Sequence, residues 1–418
     1  MVGAERRGGE LREWRRNLWA MWVAQTLSIV GFSFTTPFTP LFLRELGIEK
    51  QSDLILWSGS MNAGSALMLA ITAPLWGAIA DRYGRKPMVL RAMLGGAVVI
   101  GLMCLAPNAH VLFALRVIQG ALTGTVTASV ALVASITPRE RLGFSLGLMQ
   151  TAVFSGSSFG PLLGGIAADT IGYRLSFLLT AAFLGFAGLL VLLLVNEKFE
   201  PPKVRASGGR AVVGGMFAPL SNRLILAMVV TLCLLSLGTM AISPLLAIFV
   251  EQLSHSDASV ASLAGAAFGV SGLTNALAAI AFGRLADRLG QRRILIGCSF
   301  AAGILATLPA FVQTPLQLIV ARGLYGIAAG GMLPTANALI ADVTPPESRG
   351  AVYGLTSAAS SLGSAIGPLA GGTLAAIVSI RVVFLCAASV LVFISGWVWR
   401  MLGRAPEQAG KPQEALSG

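Results

Sequence analysis

Charged side chains are scarce in this sequence of 418 residues: Asp, Glu, Lys and Arg together make up 11% of it. A soluble globular protein has about 25%. Hydrophobic residues account for 55%, and the mean hydropathy is +0.78. So little charge cannot cover a water-exposed surface, which excludes a large soluble domain. The composition predicts an all-α membrane protein that crosses the bilayer many times.

Residues that carry most enzyme chemistry are also rare. The four cysteines each lie singly in an apolar stretch, and there are only two histidines. This pattern fits neither a disulfide framework nor a metal site. The sequence contains neither a phosphate-binding Gly-x-x-x-x-Gly-Lys-[Ser/Thr] loop nor a Gly-x-Ser-x-Gly turn. We therefore expect no enzyme activity, no metal and no bound cofactor.

Long uncharged stretches dominate what is present. Windows of about 20 mostly apolar residues are long enough to span a bilayer as helices. They predict twelve transmembrane helices: 17–43, 54–80, 88–106, 111–136, 143–168, 175–195, 223–250, 259–283, 293–311, 316–341, 351–377 and 382–402.

Most of the positive charge lies on one side of the predicted membrane spans. The net charge is +12, and 24 of the 30 Lys and Arg residues fall on one side of the predicted spans, together with both termini. Arg44, Lys50, Arg174 and Arg381 fall on the other side. The positive-inside rule then predicts cytosolic termini. The surplus charge has a topological explanation, so we expect no nucleic-acid partner. The first apolar run is too long for a signal peptide and is expected to remain uncleaved.

The chain repeats itself at a distance of 206 to 207 residues. Gly77-x-x-x-Asp81-Arg82-x-Gly84 returns as Gly283-x-x-x-Asp287-Arg288-x-Gly290, and Arg116 returns as Arg322. This repeat predicts two homologous six-helix bundles related by pseudo-symmetry. The expected domains are a first bundle over 1–195, a cytosolic linker over 196–222, a second bundle over 223–402 and a cytosolic tail over 403–418.

Five motifs occur in the order found in one known family. The duplicated Gly-x-x-x-Asp-Arg-x-Gly loop resembles that of the major facilitator superfamily. Within that superfamily, three further elements resemble the twelve-span drug:proton antiporter branch, which includes relatives of the tetracycline exporters. They are Pro37-Phe38-Thr39-Pro40, Arg116-Val117-Ile118-Gln119-Gly120 and Gly156-x-x-x-Gly160-Pro161-x-x-Gly164-Gly165.

The resemblance implies a function and a location. We expect secondary-active efflux of amphipathic drugs or toxic compounds, driven by the proton gradient, with two bundles rocking about a midplane site. The partners would be a small-molecule substrate and the bilayer of the bacterial cytoplasmic (inner) membrane, with the protein a monomer. The alternative within the same fold is an exporter or exchanger of a metabolite or sugar-phosphate-like anion.

The repeated loop predicts an interdomain latch. Asp81 ends the second span, where its own helix dipole disfavours an acid by some tenths to about 1 kcal/mol. The unpaired N–H groups at the start of the eleventh span, near Ala351, offer it a better site. Asp287 would likewise face the start of the fifth span near Gly143. The other residues of this site are Gly77, Arg82, Gly84, Arg85 and Arg288. The alternative is a solvated turn whose charges only set the topology.

Arg116 and Arg322 lie inside predicted spans, where a charge costs at least about 2.5–3.5 kcal/mol at the bilayer centre. Both are candidates for coupling, and the resemblance implies a part in proton coupling for Arg116. Each is also close enough to a span end to snorkel, which would make it a structural anchor. A guanidinium facing a cavity could equally hold an anionic drug. All 18 acidic residues fall outside the spans, so no residue is identified as the proton carrier.

The fifth-span motif, Gly156, Gly160, Pro161, Gly164 and Gly165, predicts a close-packed helix, matched by the segment from Gly363 to Gly372. The alternative is glycine-rich packing without functional meaning. Polar, aromatic and Met residues at inward-facing span positions are candidates for a substrate cavity between the bundles. They are Gln25, Phe32, Phe34, Asn62, Met149, Gln150, Phe154, Met240, Asn275 and Asn337.

Overall fold

A computed structural model describes residues 2–138, 141–197, 199, 221–254, 259–344 and 349–401. Side chains are described from residue 13 onward, except those of Asp81 and of residues 349–351. Within these ranges the first half has nine α-helices: α1 Val2–Phe34, α2 Thr39–Glu45, α3 Gln51–Tyr83, α4 Lys86–Leu90, α5 Gly96–Met103, α6 Ala109–Leu122, α7 Thr125–Ile136, α8 Leu142–Ile171 and α9 Tyr173–Leu194. A π-helical turn, Arg91–Gly95, joins α4 to α5.

The second half repeats this order with eight helices. They are α10 Arg223–Ile242, α11 Leu245–Leu253, α12 Val260–Leu289, α13 Gln291–Leu305, α14 Pro315–Gly330, α15 Met332–Val343, α16 Arg349–Ile377 and α17 Ile380–Met401. A short 3₁₀-helix, Leu308–Ala310, follows α13. Most of the predicted linker and the tail after residue 402 lie outside the described residues.

Fewer than twelve helical segments are apolar enough to be recognised as membrane spans by hydropathy alone. In the described part of the chain, nine helical segments are long and apolar enough to cross a membrane, and α1 with α2 forms a tenth, bent by 44°. The remaining two, α8 and α16, have 30 and 29 residues, which is long enough to span. Both are rich in glycine and serine, which lowers their hydropathy. The count of twelve therefore remains a prediction.

Several predicted spans are broken helices. The first bends between α1 and α2, where Pro40 lacks the N–H that a continuous helix needs. The seventh breaks at the corresponding place, at Ser243 and Pro244 between α10 and α11. The fourth breaks between α6 and α7 at Gly124, whose φ of +112° suits glycine. Such breaks expose backbone groups and place short segments near the centre of the bundle.

Among the described residues, the buried side chains join the two halves at one end. One apolar cluster contains residues of both halves, among them Phe42, Leu54, Phe249 and Phe384. The two other clusters each belong to a single half, one around Met93 in the first half and the other in the second. We call the shared cluster's end, where α2 and α11 lie, the closed end. The opposite end, which carries the loops after α3 and α12, is the open end.

Candidate functional site

A cavity of about 150 Å³ lies between the halves beside the two helix breaks. The break between α1 and α2 supplies its first wall, α3 and α6 supply one side chain each, and the α10–α11 break supplies the wall from the second half. The lining residues are Phe32, Thr36, Thr39, Pro40, Asn62, Arg116, Ser243 and Pro244. A proline lies at the start of the helix after each break, Pro40 in the first turn of α2 and Pro244 just before α11, and backbone and polar side chains reach the bundle centre there.

Arg116 is the charged residue of this cavity. Its guanidinium donates to the hydroxyl oxygen of Thr39 at 2.7 Å, to that of Thr35 at 3.5 Å and to Oε1 of Gln119 at 3.0 Å. The acceptors are neutral, and neither ion pair found among the described residues includes Arg116. The Arg-x-x-Gln spacing explains the Gln119 contact, because residues three apart on a helix are neighbours. The arginine is oriented by its partners but not neutralised.

Arg322 occupies the matching place on α14 with different surroundings. Its guanidinium carbon lies 5.1 Å from the centre of the Tyr325 ring, and its buried Nε has no hydrogen-bond acceptor. The positions that match Thr35 and Thr39 in the repeat carry alanine, isoleucine or leucine. The two embedded arginines are therefore similar in sequence but not in environment.

The candidate cavity residues separate into three groups. Phe32 and Asn62 line the cavity. Phe34 and Met149 pack inside the apolar cores instead, each 1% exposed, because the helix faces that carry them turn toward neighbours in the same half. The side chain of Gln25 is 1% exposed, and both of its amide atoms lack a hydrogen-bond partner. Gln150, Met240 and Asn337 are exposed, and Phe154 and Asn275 half-buried, away from the cavity lining.

An ion pair joins the halves at the closed end. Arg44 on α2 donates through its second terminal nitrogen to Glu251 on α11 at 3.1 Å, and also to Gln51 at 2.9 Å. A second ion pair, between Glu45 and Arg174, has an Nε to Oε1 distance of 3.1 Å and stays within the first half. All four charges were expected outside the spans, and they gather at this end.

Asp169 forms another contact between the halves. It lies in the last turn of α8, and its carboxylate accepts from the backbone N–H groups of Ala261 at 3.3 Å and Ser262 at 2.7 Å. These N–H groups begin α12, whose own N-cap, Ser259, makes no side-chain capping bond. An acid from one half thus caps a helix of the other. Sequence reasoning missed this role, although an acid at a helix C-terminus was the signal that singled out Asp81.

The fifth-span glycines pack on both sides of α8. A methyl group on Gly156 or Gly160 would lie 2.6 Å from Cβ of Ile29 or 2.7 Å from Cβ of Ser33, both on α1. A methyl on Gly164 would collide with the carbonyl oxygen of Phe34. Gly165 faces the other half, where a methyl would collide with the carbonyl of Ala261 on α12. Pro161, buried in the same helix, lies with its carbonyl against Gly265 of α12.

The matching helix α16 repeats this arrangement. Gly363, Gly367 and Gly371 pack against α10 of their own half. Gly372 faces the first half, where an added methyl group would lie 3.6 Å from Cα of Gly59 on α3. A methyl on Gly59 would lie 2.6 Å from the carbonyl oxygen of Pro368. The two glycine-rich helices therefore close the same end of the molecule from two sides.

The repeated loop is organised within its own half. Gly84 has a φ of +98°, and the Glu197 carboxylate lies against it, accepting from the backbone N–H of Arg85 at 2.9 Å and of Lys86 at 2.8 Å. The Arg85 side chain donates to the carbonyl of Ala131 at 3.1 Å. Arg82 is exposed. Glu197 thus ties the end of α9 to the start of α4, a role that the sequence did not suggest to us.

The predicted latch is not tested by this conformation. The side chain of Asp81 and the residues just before α16 lie outside the described part of the chain. Asp287 and Arg288 are exposed. A methyl on Gly77, or on Gly143 at the predicted docking point of Asp287, would have nothing within 4 Å. Gly77 and Gly143 therefore face open space in this conformation, and the latch remains a prediction.

Comparisons with known proteins agree with this architecture. The model of the Major Facilitator Superfamily matches residues 21–272 and 228–417. The multidrug resistance protein MdtG of Citrobacter koseri is 36% identical over 395 residues, which cover 94% of this chain and 97% of that protein. MdtG of Escherichia coli is 36% identical over 392 residues, covering 94% and 95%.

Solved structures share the fold at lower identity. The nucleoside transporter NupG aligns with a TM-score of 0.73 at 14% identity, covering 92% of this chain and 98% of NupG. A bacterial homologue of the human lysosomal transporter Spinster, in an inward-facing and unoccupied conformation, aligns with a TM-score of 0.73 at 14% identity over 93% of this chain and 97% of the homologue.

Proposed function

Because this chain belongs to the major facilitator superfamily, we propose that it exports amphipathic drugs or similar toxic compounds across the bacterial cytoplasmic membrane. The observation that carries the proposal is a cavity between two homologous halves that touch at one end and separate at the other. This is the arrangement that alternating access requires, with the halves rocking about a central site. The multidrug resistance proteins named above support the choice of substrate class. No chemical reaction is proposed.

The direction follows from the charge distribution. The positive-inside rule places both termini and the loops after α3 and α12 in the cytosol. The closed end, with Arg44 and Arg174, would then face outward, and the structure would represent an inward-open state. Substrate would enter the cavity from the cytosol or the inner leaflet and leave after the halves rock.

Exchange for protons is the proposed driving force, with no cofactor and the protein working as a monomer. No carboxylate lies within a predicted span, so coupling would fall to Arg116 and to acids at the ends of the bundle, such as Glu45, Asp53 and Asp81. Protonation of an acid that contacts the other half would weaken the closure of that end and so bias the two states.

A flux assay tests both parts. The purified protein is reconstituted in liposomes, and the uptake of a fluorescent amphipathic drug is followed with and without an imposed pH gradient. Faster uptake when the gradient drives protons the opposite way supports proton exchange. The same rate without a gradient contradicts the exchange but leaves export standing. Flux no greater than that of protein-free liposomes contradicts export itself.

A further inference from the structure

We propose that Arg91 and Trp76 are positioning residues for transport: they hold the broken fourth span and, through it, the acceptor that orients Arg116. The inference rests on the proposed export function and adds residues outside the cavity to its machinery. Neither Arg91 nor Trp76 belongs to the cavity lining. Their effect would therefore pass through the backbone of α6.

The break between α6 and α7 frees backbone carbonyl groups. α6 ends at Leu122, Thr123 is extended with φ −80° and ψ −168°, and Gly124 is left-handed with φ +112°. The last carbonyls of a helix that stops in this way have no following N–H groups to bond. Within a bilayer, such carbonyls need donors from other parts of the protein.

Two side chains from neighbouring segments supply these donors. Trp76 on α3 donates its Nε1–H to the carbonyl oxygen of Ala121 at 2.7 Å. Arg91, at the start of the π-helical turn, donates through Nη2 to the carbonyl oxygen of Thr123 at 3.3 Å. The guanidinium carbon of Arg91 lies 3.8 Å from the centre of the Trp76 ring, so the two donors also stack on each other. They form one unit on the last turn of α6.

The same turn carries the acceptor of Arg116. The backbone N–H of Thr123 donates to the carbonyl oxygen of Gln119 at 2.9 Å, and the Gln119 side chain accepts from Arg116 at 3.0 Å. Gly120 lies so close to α3 that a methyl group there would collide with the backbone of Ser65. A shift of this turn would therefore move the partner of Arg116 relative to α3.

Arg91 is not placed there by an opposite charge. Neither ion pair found among the described residues includes it. Its buried Nε and Nη1 have no hydrogen-bond acceptor in the described part of the chain. Buried donors without acceptors destabilise a fold, and a charge near a span's interior does so as well. A side chain with these costs suggests a role beyond packing.

The matching break in the second half has neither donor. At a distance of 206 residues, Trp76 corresponds to Phe282 and Arg91 to Gly297. Gly331, between α14 and α15, keeps right-handed helical angles with φ −81° and ψ −17°. The strong break and its two donors thus occur together in the half whose embedded arginine lines the cavity. Both are missing at the matching place in the other half, and this association links the donors to the central site.

A distance within the first half tests whether the pair holds the break. Spin labels at positions 111 and 135, which are exposed near the far ends of α6 and α7, report the bend of the fourth span. Rocking of one rigid half against the other does not change their separation. In Trp76→Phe, which keeps a ring but loses the N–H, and in Arg91→Gln, we expect a distance distribution at least twice as broad. An unchanged distribution in both variants would overturn the proposal.

Flux tests whether the pair matters for transport. The probe is norfloxacin, a fluorescent drug that carries one positive and one negative group, so that the result does not depend on the sign of charge the site prefers. Arg91→Gln should raise its Michaelis constant in liposomes at least fivefold, and Arg91→Lys, which keeps a charge and a donor, should restore part of the loss. Trp399→Phe and Arg223→Gln are the matched controls, because they remove an indole and a guanidinium at exposed positions.

A second background tests whether Arg91 acts through the contact between Gln119 and Arg116. In Gln119→Ala, Arg116 has already lost this acceptor, so Arg91→Gln should raise the Michaelis constant less than twofold further. A merely structural role would give the same fivefold effect in both backgrounds, and that outcome contradicts the proposal.

The two measurements separate a failure of this proposal from a failure of export. If the unaltered protein transports norfloxacin and neither Trp76→Phe nor Arg91→Gln changes the Michaelis constant, export stands and the positioning role is wrong. If the unaltered protein gives no flux above that of protein-free liposomes, export of this drug is wrong. The distance measurement then still decides whether Arg91 and Trp76 hold the break.

Discussion

The two ends of the molecule use the same helices in opposite ways. At the closed end, Gly165 of α8 and Gly265 of α12 leave no room for a methyl group between the halves. At the open end of the same two helices, a methyl on Gly147 or Gly283 would meet nothing within 4 Å. Glycine is thus present at both ends but is in close contact at only one. We therefore expect the small residues of the open end to pack against the other half when that end closes.

Steric blocking of the closed end should have the largest effect. In Gly165→Val the added side chain would collide with the backbone of α12, so the halves could not meet. We expect drug flux in liposomes to fall at least tenfold. In a background without the native cysteines, a cysteine replacing the buried Ile55 should become reactive to a water-soluble thiol reagent.

Gly396→Val is the control for this variant, because a methyl on Gly396 in α17 would have nothing within 4 Å. It should retain most of the flux. Normal flux in Gly165→Val would show that the close contact at this end is not needed for transport.

Removal of the helix cap supplied by Asp169 should have the next largest effect. Asp169→Ala leaves the first N–H groups of α12 without an acceptor, and the loss of such a cap costs about 0.5–2 kcal/mol. The cost falls only on the conformation in which this end is closed. In the distribution of distances between spin labels on α8 and α12, the ratio of the separated to the closed population should therefore rise several-fold.

Glu49→Ala is the matched control, since Glu49 is an exposed acid at the same end, just before α3, and among the described residues its carboxylate has no hydrogen bond or ion pair with the other half. A distance distribution in Asp169→Ala identical to that of the unaltered protein would mean that the carboxylate does not bias the two states.

The ion pair between the halves should contribute less. Arg44 and Glu251 are 33% and 21% exposed, and partly exposed pairs are worth about 0.2–1 kcal/mol. In Glu251→Gln the ratio of the separated to the closed population should rise by at most a few-fold, and by less at high salt. In Arg174→Gln, which breaks the pair within the first half, we expect no shift. A larger effect from Arg174→Gln than from Glu251→Gln would reverse the assignment.

A contact within one half should not move the equilibrium at all. Glu197→Gln weakens the cap at the start of α4, so the thermal unfolding temperature should fall. The distance between the halves at the closed end should stay the same, because neither state of the molecule loses this contact when the halves rock. A shift in that distance would show that Glu197 also acts between the halves.

Much of the fold could be predicted from the sequence. The scarcity of charge and the length of the apolar runs indicated a bundle of membrane helices, and the repeat indicated two halves, because both depend on local composition and spacing. Hydropathy alone did not identify α8 and α16 as spans. Their glycine and serine residues serve helix contacts, so their hydropathy falls below that of lipid-facing spans.

The candidate site was predictable only in part. Arg116 stood out because a charge in a span is costly, whereas Asn62 was one of ten polar, aromatic and Met candidates. Periodicity could not separate Phe34, which packs in the core, from Phe32, which lines the cavity, since both lie on the same turn of α1. That distinction depends on which neighbouring helix covers each face.

The family, the duplicated design and the embedded arginines can all be recognised from the sequence, because they depend on which residues occur and at what spacing. Which acids act between the halves depends instead on the three-dimensional arrangement of the helices. Asp81 and Asp169 both end helices where their own dipoles disfavour them. Asp169 has a helix of the other half within hydrogen-bond distance, whereas the side chain of Asp81 lies outside the described residues. The pairing of a charge with a helix N-terminus depends on the relative position of two bundles, which local sequence does not specify.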